Sequence, residues 1–386
     1  MSATPEPFTL AIPDEEIADL RDRLRLTRFP DQAPGESWAY GTDLGWMREF
    51  MAYWKDSFDW RAQEARLNAF PQYKVPLSGI DVHFLHVPGK GSNPLPLLLS
   101  HGWPGSVFEF LELIPRLTDP ARFGGDPADA FTVVAPSLPG FGLSFKPGQA
   151  RFGAEEIADC FAELMTGVLG YDRFGAQGGD WGSFVSSRLA YAHPEHVAGI
   201  HLNLMPLPRD PAAFADPNAE EKRYFEEMTV FMKEETGYQS IQGTRPQTLA
   251  YGLTDSPAGL AAWIAEKFRI WSDCGGDVES VFTKDELLAN IGLYWFTGAI
   301  GSSFWPYYSR MHRPWPIPPG GTVDVPMGYC EFPREILRPP RSLAERTYKD
   351  IRRWSVMDHG GHFAAMEHPD ELAHEVREFF RPLRAG

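Results

Sequence analysis

The chain is poor in cysteine. Its 386 residues include three, Cys160, Cys274 and Cys330, too few and too far apart for a disulfide framework or a zinc-ligand pattern. A reducing compartment is therefore expected. A surplus of positive charge is also missing. The 52 Asp and Glu outnumber the 36 Lys and Arg, leaving a net charge of −16. Nucleic acid needs a basic face and an anionic membrane surface repels an acidic protein, so neither partner is expected. No apolar run approaches the ~20 residues that span a bilayer. The opening Met1-Ser-Ala-Thr-Pro-Glu-Pro has neither a basic nor an apolar region of the kind that directs secretion. A soluble, cytoplasmic protein is expected. Internal repeats and low-complexity tracts are absent. What the chain does have is apolar material. Hydrophobic residues make up 43% of it, with 12 Trp and 27 Phe, enough for a sizeable core and for a pocket suited to an apolar or aromatic ligand.

Strand signals are unevenly spread. Residues 1 to about 70 read as helices and loops, with an amphipathic helix opening at Pro13-Asp-Glu-Glu and another over Asp43 to Lys55. Tyr73 to Val87 alternates like a hairpin turning at Ser78-Gly79. Short apolar strands are expected at Leu95 to Ser100, Phe131 to Ala135, after Arg173, and at Val197 to Leu204, with helices over about Gly153 to Leu169 and Ser183 to Tyr191 between them. Strands alternating with helices imply a mostly parallel, doubly wound α/β sheet. From 206 to about 313 the strand signal stops. This helical stretch is bounded by Pro206-Leu-Pro-Arg-Asp-Pro and Pro314-Trp-Pro-Ile-Pro-Pro, and proline-rich edges mark linkers. Strands return at Val323 to Tyr329 and Arg353 to Met357, before a last helix over Asp370 to Phe380. The expected organisation is an N-terminal extension (1–70), a core in two parts (71–205 and 319–386) and an inserted helical cap (206–318). A cap in that place covers the strand ends where α/β sheets bind ligands.

One turn carries the chemistry. In Phe174-Gly-Ala-Gln-Gly178-Gly-Asp180-Trp181-Gly182-Ser183, small residues flank a polar one between a strand and a helix. That pattern marks the nucleophile elbow of the α/β-hydrolase fold. The apex is Asp180, where a serine would make an esterase; Ser183 lies off the apex. A carboxylate needs no deprotonation at neutral pH and displaces leaving groups from sp3 carbon, either an epoxide oxygen or a halide. The bland alternative is an aspartate capping a helix. In this fold the nucleophile is followed by an acid and then a histidine. Asp358-His359-Gly360-Gly361-His362-Phe363 offers the histidine, and its two glycines favour His362 over His359. These two histidines could also bind a metal, but no third ligand lies nearby in sequence. Glu331 and Glu335 are the two candidates for the acid, and composition does not choose between them. His101-Gly-Trp103-Pro-Gly-Ser follows an earlier strand. There the Trp103 N–H, with that of Trp181, would form an oxyanion hole.

These strings, in this order, resemble the microsomal-type branch of the epoxide hydrolase family over nearly the whole chain. The N-terminal part is similar in Leu24-Arg-Leu-Thr-Arg-Phe-Pro, Tyr53-Trp, Phe58-Asp-Trp-Arg and Glu64-Ala-Arg-Leu-Asn. The core is similar in His101-Gly-Trp-Pro-Gly-Ser and Gly178-Gly-Asp-Trp-Gly-Ser, the cap in the run from Asp255 to Phe268, and the tail in Gly360-Gly-His-Phe-Ala-Ala-Met-Glu. The resemblance implies Asp180 as nucleophile, His362 as general base and Glu335 as acid. It implies two cap tyrosines that hold the epoxide oxygen, Tyr238 and Tyr307, with Tyr308 open as an alternative to the second. It further implies an epoxide and water as substrates, a vicinal diol as product, and no metal or organic cofactor. Membrane-bound members of the branch carry an anchor helix and this chain starts at the soluble part, so a soluble bacterial-type member is expected. An aryl-substituted epoxide would suit Trp103, Trp181 and Trp305. A haloalkane dehalogenase is the alternative enzyme, and an inactive binding module the non-enzymatic one. The N-terminal segment would either mediate a homodimer or clasp its own core.

Overall fold

The computed structural model describes residues 4–207 and 214–384. Nine strands form one sheet: β1 (Glu6–Pro7), β2 (Gln72–Leu77), β3 (Ile80–Val87), β4 (Leu95–Ser100), β5 (Phe131–Pro136), β6 (Phe174–Gly178), β7 (Val197–Leu202), β8 (Val323–Glu331) and β9 (Tyr348–Val356). Their order in space is β1-β2-β3-β5-β4-β6-β7-β8-β9. The strands up to the β3–β5 pair are antiparallel, and every pair from β5–β4 to β8–β9 is parallel. Helices cover both faces of the inner parallel strands, so β4, β5 and β7 are largely continuous apolar runs rather than alternating. All six residues of β5 and of β7 are buried. β6 lies between β4 and β7, with Gly178 opposite both Ser100 and Leu202. The ends of β4, β6 and β7 therefore meet at one point.

Between β7 and β8 the described elements are helical. Of the proline-rich edge expected from Pro206, the part from Pro208 to Pro211 lies outside the described residues. The N-terminal helices pack on helices of this long insert. The Tyr53 hydroxyl donates to Asp285 at 2.8 Å, the Trp46 indole to Glu279 at 2.9 Å, and the Trp60 ring stands 4.6 Å from that of Phe296. The segment thus makes contacts within its own chain.

Several elements differ from their sequence-based expectation, β1 among them, since residues 1 to about 70 read as helices and loops. The helix expected over Gly153 to Leu169 is α-helical only over Ala154–Glu163 and widens to a π-helical turn over Leu164–Val168. β9 begins at Tyr348, five residues before the expected Arg353, because an edge strand tolerates the polar run Lys349-Asp350 on its open side. A helix at Trp60–Asn68, capped by the Asp59 carboxylate, lies where no separate element was expected. Among the described residues, no helix is long and apolar enough to cross a membrane.

Candidate active site

β6 ends at Gly178 and the helix Asp180–Ala192 follows after one residue. To make that reversal Asp180 takes a φ of +46°, a left-handed conformation that disfavours any residue with a Cβ. The surrounding backbone is too close for side chains. A Cβ on Gly178 would stand 2.3 Å from the carbonyl carbon of Gly182, and one on Gly182 would stand 1.8 Å from the Ser100 oxygen. The turn holds the Asp180 carboxylate clear of the sheet. Its Oδ1 accepts the Trp103 backbone N–H at 2.8 Å. Its Oδ2 lies 3.6 Å from His362 Nε2. The Trp181 amide comes next, in the first helical turn, where amides have no intrahelical partner.

His362 Nδ1 donates to Glu335 Oε1 at 2.7 Å, and the same oxygen accepts the Ile336 N–H at 2.6 Å. The side chains of Glu335 and His362 are 0% and 3% exposed, that of Asp180 15%. Burial alone would lower the imidazole pKa. The charges and hydrogen bonds of Glu335 and Asp180 outweigh it and hold His362 well above its ordinary 6.5. The loop is tied down by the His362 N–H, which donates to the Trp271 carbonyl at 2.8 Å.

Two tyrosines from the helical insert face this group. Tyr238 lies in helix Gly237–Thr244 and Tyr307 in helix Trp305–His312, their rings 5.8 Å apart. The Trp103 ring stacks on Tyr238 at 5.4 Å, and Trp181 meets Tyr307 edge-on at 4.8 Å. Burial, with the Asp180 charge adding to it, raises both phenol pKa values well above the ordinary 10. The Tyr307 hydroxyl is buried and completes no hydrogen bond of good geometry. Tyr308 points elsewhere, stacked between Trp305 and His312.

Asp180, His362, Glu335, Tyr238, Tyr307, Trp103 and Trp181 thus meet in one place. The alternatives do not join them. Glu331 ends β8 and is bonded through its backbone to Met357. Ser183 donates to the Asp180 carbonyl at 2.6 Å. His359 is exposed and reaches Glu371 at 3.3 Å. With His368 those two residues form a group that could hold a metal, their ligand atoms within 4.8 Å of one another; His362 is not part of it. His101 is structural: Nε2 accepts the Leu138 N–H at 3.1 Å and Nδ1 donates to the Gly102 carbonyl at 3.0 Å, while burial lowers its pKa to about 4. Sequence reasoning missed Trp271, which packs on Tyr238 and His362 at 5.2 and 5.1 Å. It also missed Glu109, which lines the same cavity as Asp180 and His362. Glu109 stands four residues beyond Gly105 in a motif already singled out, but no spacing rule aims it inward.

Residues 5–110 match the family described as epoxide hydrolase N terminus, and residues 96–228 match the alpha/beta hydrolase fold. The chain is 47% identical to a candidate epoxide hydrolase of Stigmatella aurantiaca (strain DW4/3-1), over 98% of this chain and 85% of that one. It is 36% identical to epoxide hydrolase 1 of Oryctolagus cuniculus, over 97% of this chain and 88% of that one. The chain belongs to the epoxide hydrolase family. The crystal structure of juvenile hormone epoxide hydrolase from Bombyx mori superposes on it with a TM-score of 0.89 at 32% identity, covering 99% of this chain and 95% of that one. These relatives make the protein an epoxide hydrolase of α/β-hydrolase fold and do not favour the haloalkane dehalogenase alternative.

Proposed function

We propose that this epoxide hydrolase opens an apolar epoxide through a covalent ester on Asp180, and that residues 206–318 act as a cap carrying the acid groups. The observation behind this reading is the contact chain Asp180–His362–Glu335 beneath the tyrosine pair. Asp180 Oδ2 attacks a ring carbon and the carbon–oxygen bond breaks. The departing oxygen takes a proton from Tyr238 or Tyr307. An alkoxide leaves poorly without that proton, and raised phenol pKa values keep the donors protonated at neutral pH. Ester formation removes the Asp180 charge that opposed a buried phenolate, so the proton is released when it is needed.

Ester formation also removes the Asp180 charge and hydrogen bond that help hold a proton on His362. Once that proton has left to solvent, the neutral imidazole, oriented by Glu335, takes a proton from water, whose oxygen adds to the Asp180 carbonyl carbon. The oxyanion forms on Oδ1, already bonded to the Trp103 N–H, with the Trp181 N–H as second donor. Collapse breaks the ester bond, the proton on His362 passes to the diol oxygen, and the water's second proton leaves the Asp180 carboxyl to restore the tyrosine, returning Asp180 to its carboxylate. The aromatic walls suit an apolar, aryl-substituted epoxide. The test is diol formation from racemic styrene oxide with EDTA present. Asp180→Ala should abolish it, while His362→Gln should accumulate an adduct heavier than the protein by one substrate mass. Turnover by Asp180→Ala would refute the nucleophile, and no adduct on His362→Gln would refute the base.

A further inference from the structure

The site holds a carboxyl that this mechanism leaves idle. Glu109 belongs to the short helix Val107–Phe110, just past the His101-Gly-Trp-Pro-Gly-Ser loop. Its carboxyl lies against the Gly105 backbone so closely that a Cβ on that glycine would stand 1.4 Å from Glu109 Oε1. The loop therefore leaves a gap into which Glu109 reaches. Glu109, Asp180 and His362, with Gln177 and Asn203, line one cavity of ≈ 20 Å³. That volume admits about one water, and a buried water is held by two to four polar partners. Trp103 also lines it, and the Trp103 ring packs with those of Tyr238, Trp271 and Tyr307, so the cavity's polar end, with Glu109 and His362, lies beside an apolar one.

We infer that Glu109 is a catalytic residue of the second half-reaction, whose carboxyl holds the hydrolytic water in this cavity between His362 Nε2 and the ester carbonyl of Asp180. The role rests on the Asp180 ester proposed above. A water bonded to His362 alone can swing about that bond; a second bond to Glu109 fixes its lone pair on the carbonyl carbon. Glu109 itself makes and breaks no covalent bond. The water's proton goes to His362, its oxygen to the Asp180 carbonyl carbon, and the electron pair of the broken ester bond to the diol oxygen. Protonation supports the assignment. Burial lifts the Glu109 carboxyl to about 8, with His362 opposing and the Asp180 charge assisting. In the resting enzyme at neutral pH it is a neutral neighbour that does not repel the nucleophile. Esterification removes the Asp180 charge and lets Glu109 accept more strongly at the stage when water must be oriented.

The test separates the half-reactions in the full-length protein. Single turnovers of styrene oxide are quenched at intervals, and the ester is followed by intact mass. Glu109→Gln should form the ester within about threefold of the wild-type rate and hydrolyse it at least about tenfold more slowly, the loss typical of one mispositioned catalytic group. Glu109→Asp, which keeps the carboxyl but withdraws it, should show the same split if the Gln variant does not fold. Unchanged ester decay in either folded variant, or formation and decay slowed alike, would overturn the role. His362→Gln is run alongside. If it too accumulates no ester, the covalent mechanism fails and Glu109's role fails with it, an outcome distinct from wild-type-like decay in the Glu109 variants alone.

Discussion

At the scale of single residues, the division of labour between the tyrosines can be read from their hydrogen bonds. Tyr238 accepts a bond from the Gln239 amide at 2.8 Å, whereas the buried Tyr307 hydroxyl completes none of good geometry and meets only Tyr238 and the Trp181 indole in poor alignment. A buried hydroxyl so poorly satisfied costs stability and persists here as a donor facing the site. Tyr307→Phe should therefore leave the melting temperature unchanged or raise it slightly while slowing ester formation. General acids contribute about 10²–10⁴-fold. Each single Tyr→Phe variant should accordingly lose roughly tenfold or more, because its partner remains, and the double variant should approach the full loss. Stopped-flow Trp fluorescence on styrene oxide gives the rates. A Tyr308→Phe variant serves as control, since its ring stacks away from the nucleophile. A Tyr308 effect equal to that of Tyr307 would reverse the assignment.

At the scale of elements, what positions Asp180 is the absence of side chains around it. Gly182 packs on the Ser100 carbonyl so closely that its Cβ would sit 1.8 Å from that oxygen. The obstacle is backbone at the end of a central strand and cannot rotate away. Gly182→Ala should destabilise the fold by about 3 kcal/mol or more and, in whatever protein folds, shift Asp180 enough to suppress ester formation; denaturant midpoints and single-turnover rates measure both. A wild-type midpoint would mean that β4 can yield there. This elbow was legible in sequence because its glycines and its polar apex serve a local geometry. β4, β5 and β7 were legible because strands covered on both faces are continuous apolar runs. The start of β9 was not, since Tyr348-Lys-Asp-Ile-Arg-Arg gains its strand character only from pairing with β8. Nor could composition separate Glu331 from Glu335. The choice is made by a turn in which the Glu335 N–H bonds back to Phe332 and the Arg334 N–H bonds to Gly360, bringing the second carboxylate to His362. Glu109 escaped notice for the same reason, as its direction is set by a four-residue helix and the backbone it packs on.

At the scale of the whole molecule, the buried titratable groups set a pH at which the fold is most stable. Burial lowers His83 to about 3 and His101 and His201 to about 4, from an ordinary 6.5. Below 6.5 the unfolded chain binds three protons that the folded one refuses, so these groups cost stability as the pH falls. Burial raises Glu109 to about 8 and Glu367 to about 7, from an ordinary 4.5. Above 4.5 the folded chain retains two protons that the unfolded one releases, so these groups cost stability as the pH rises, until 8. Between 4.5 and 6.5 the three histidines outweigh the two carboxyls and stability climbs with pH. Above 6.5 the histidine contribution is complete and only losses remain. His362, held well above 6.5, adds to them, because its stabilisation is full below 6.5 and disappears as it deprotonates in the folded state. Each net proton is worth about 1.4 kcal/mol per pH unit. The net charge of −16 works in the same direction, since self-repulsion grows on the alkaline side. The melting temperature, followed by scanning fluorimetry at constant ionic strength, should therefore peak near pH 6.5 and fall on both sides. Glu109→Gln should flatten the alkaline slope by removing one of the retained protons. A maximum at pH 8.5 or above, or an alkaline slope unmoved by that substitution, would show that these carboxyls ionise freely in the fold and are not held neutral by burial.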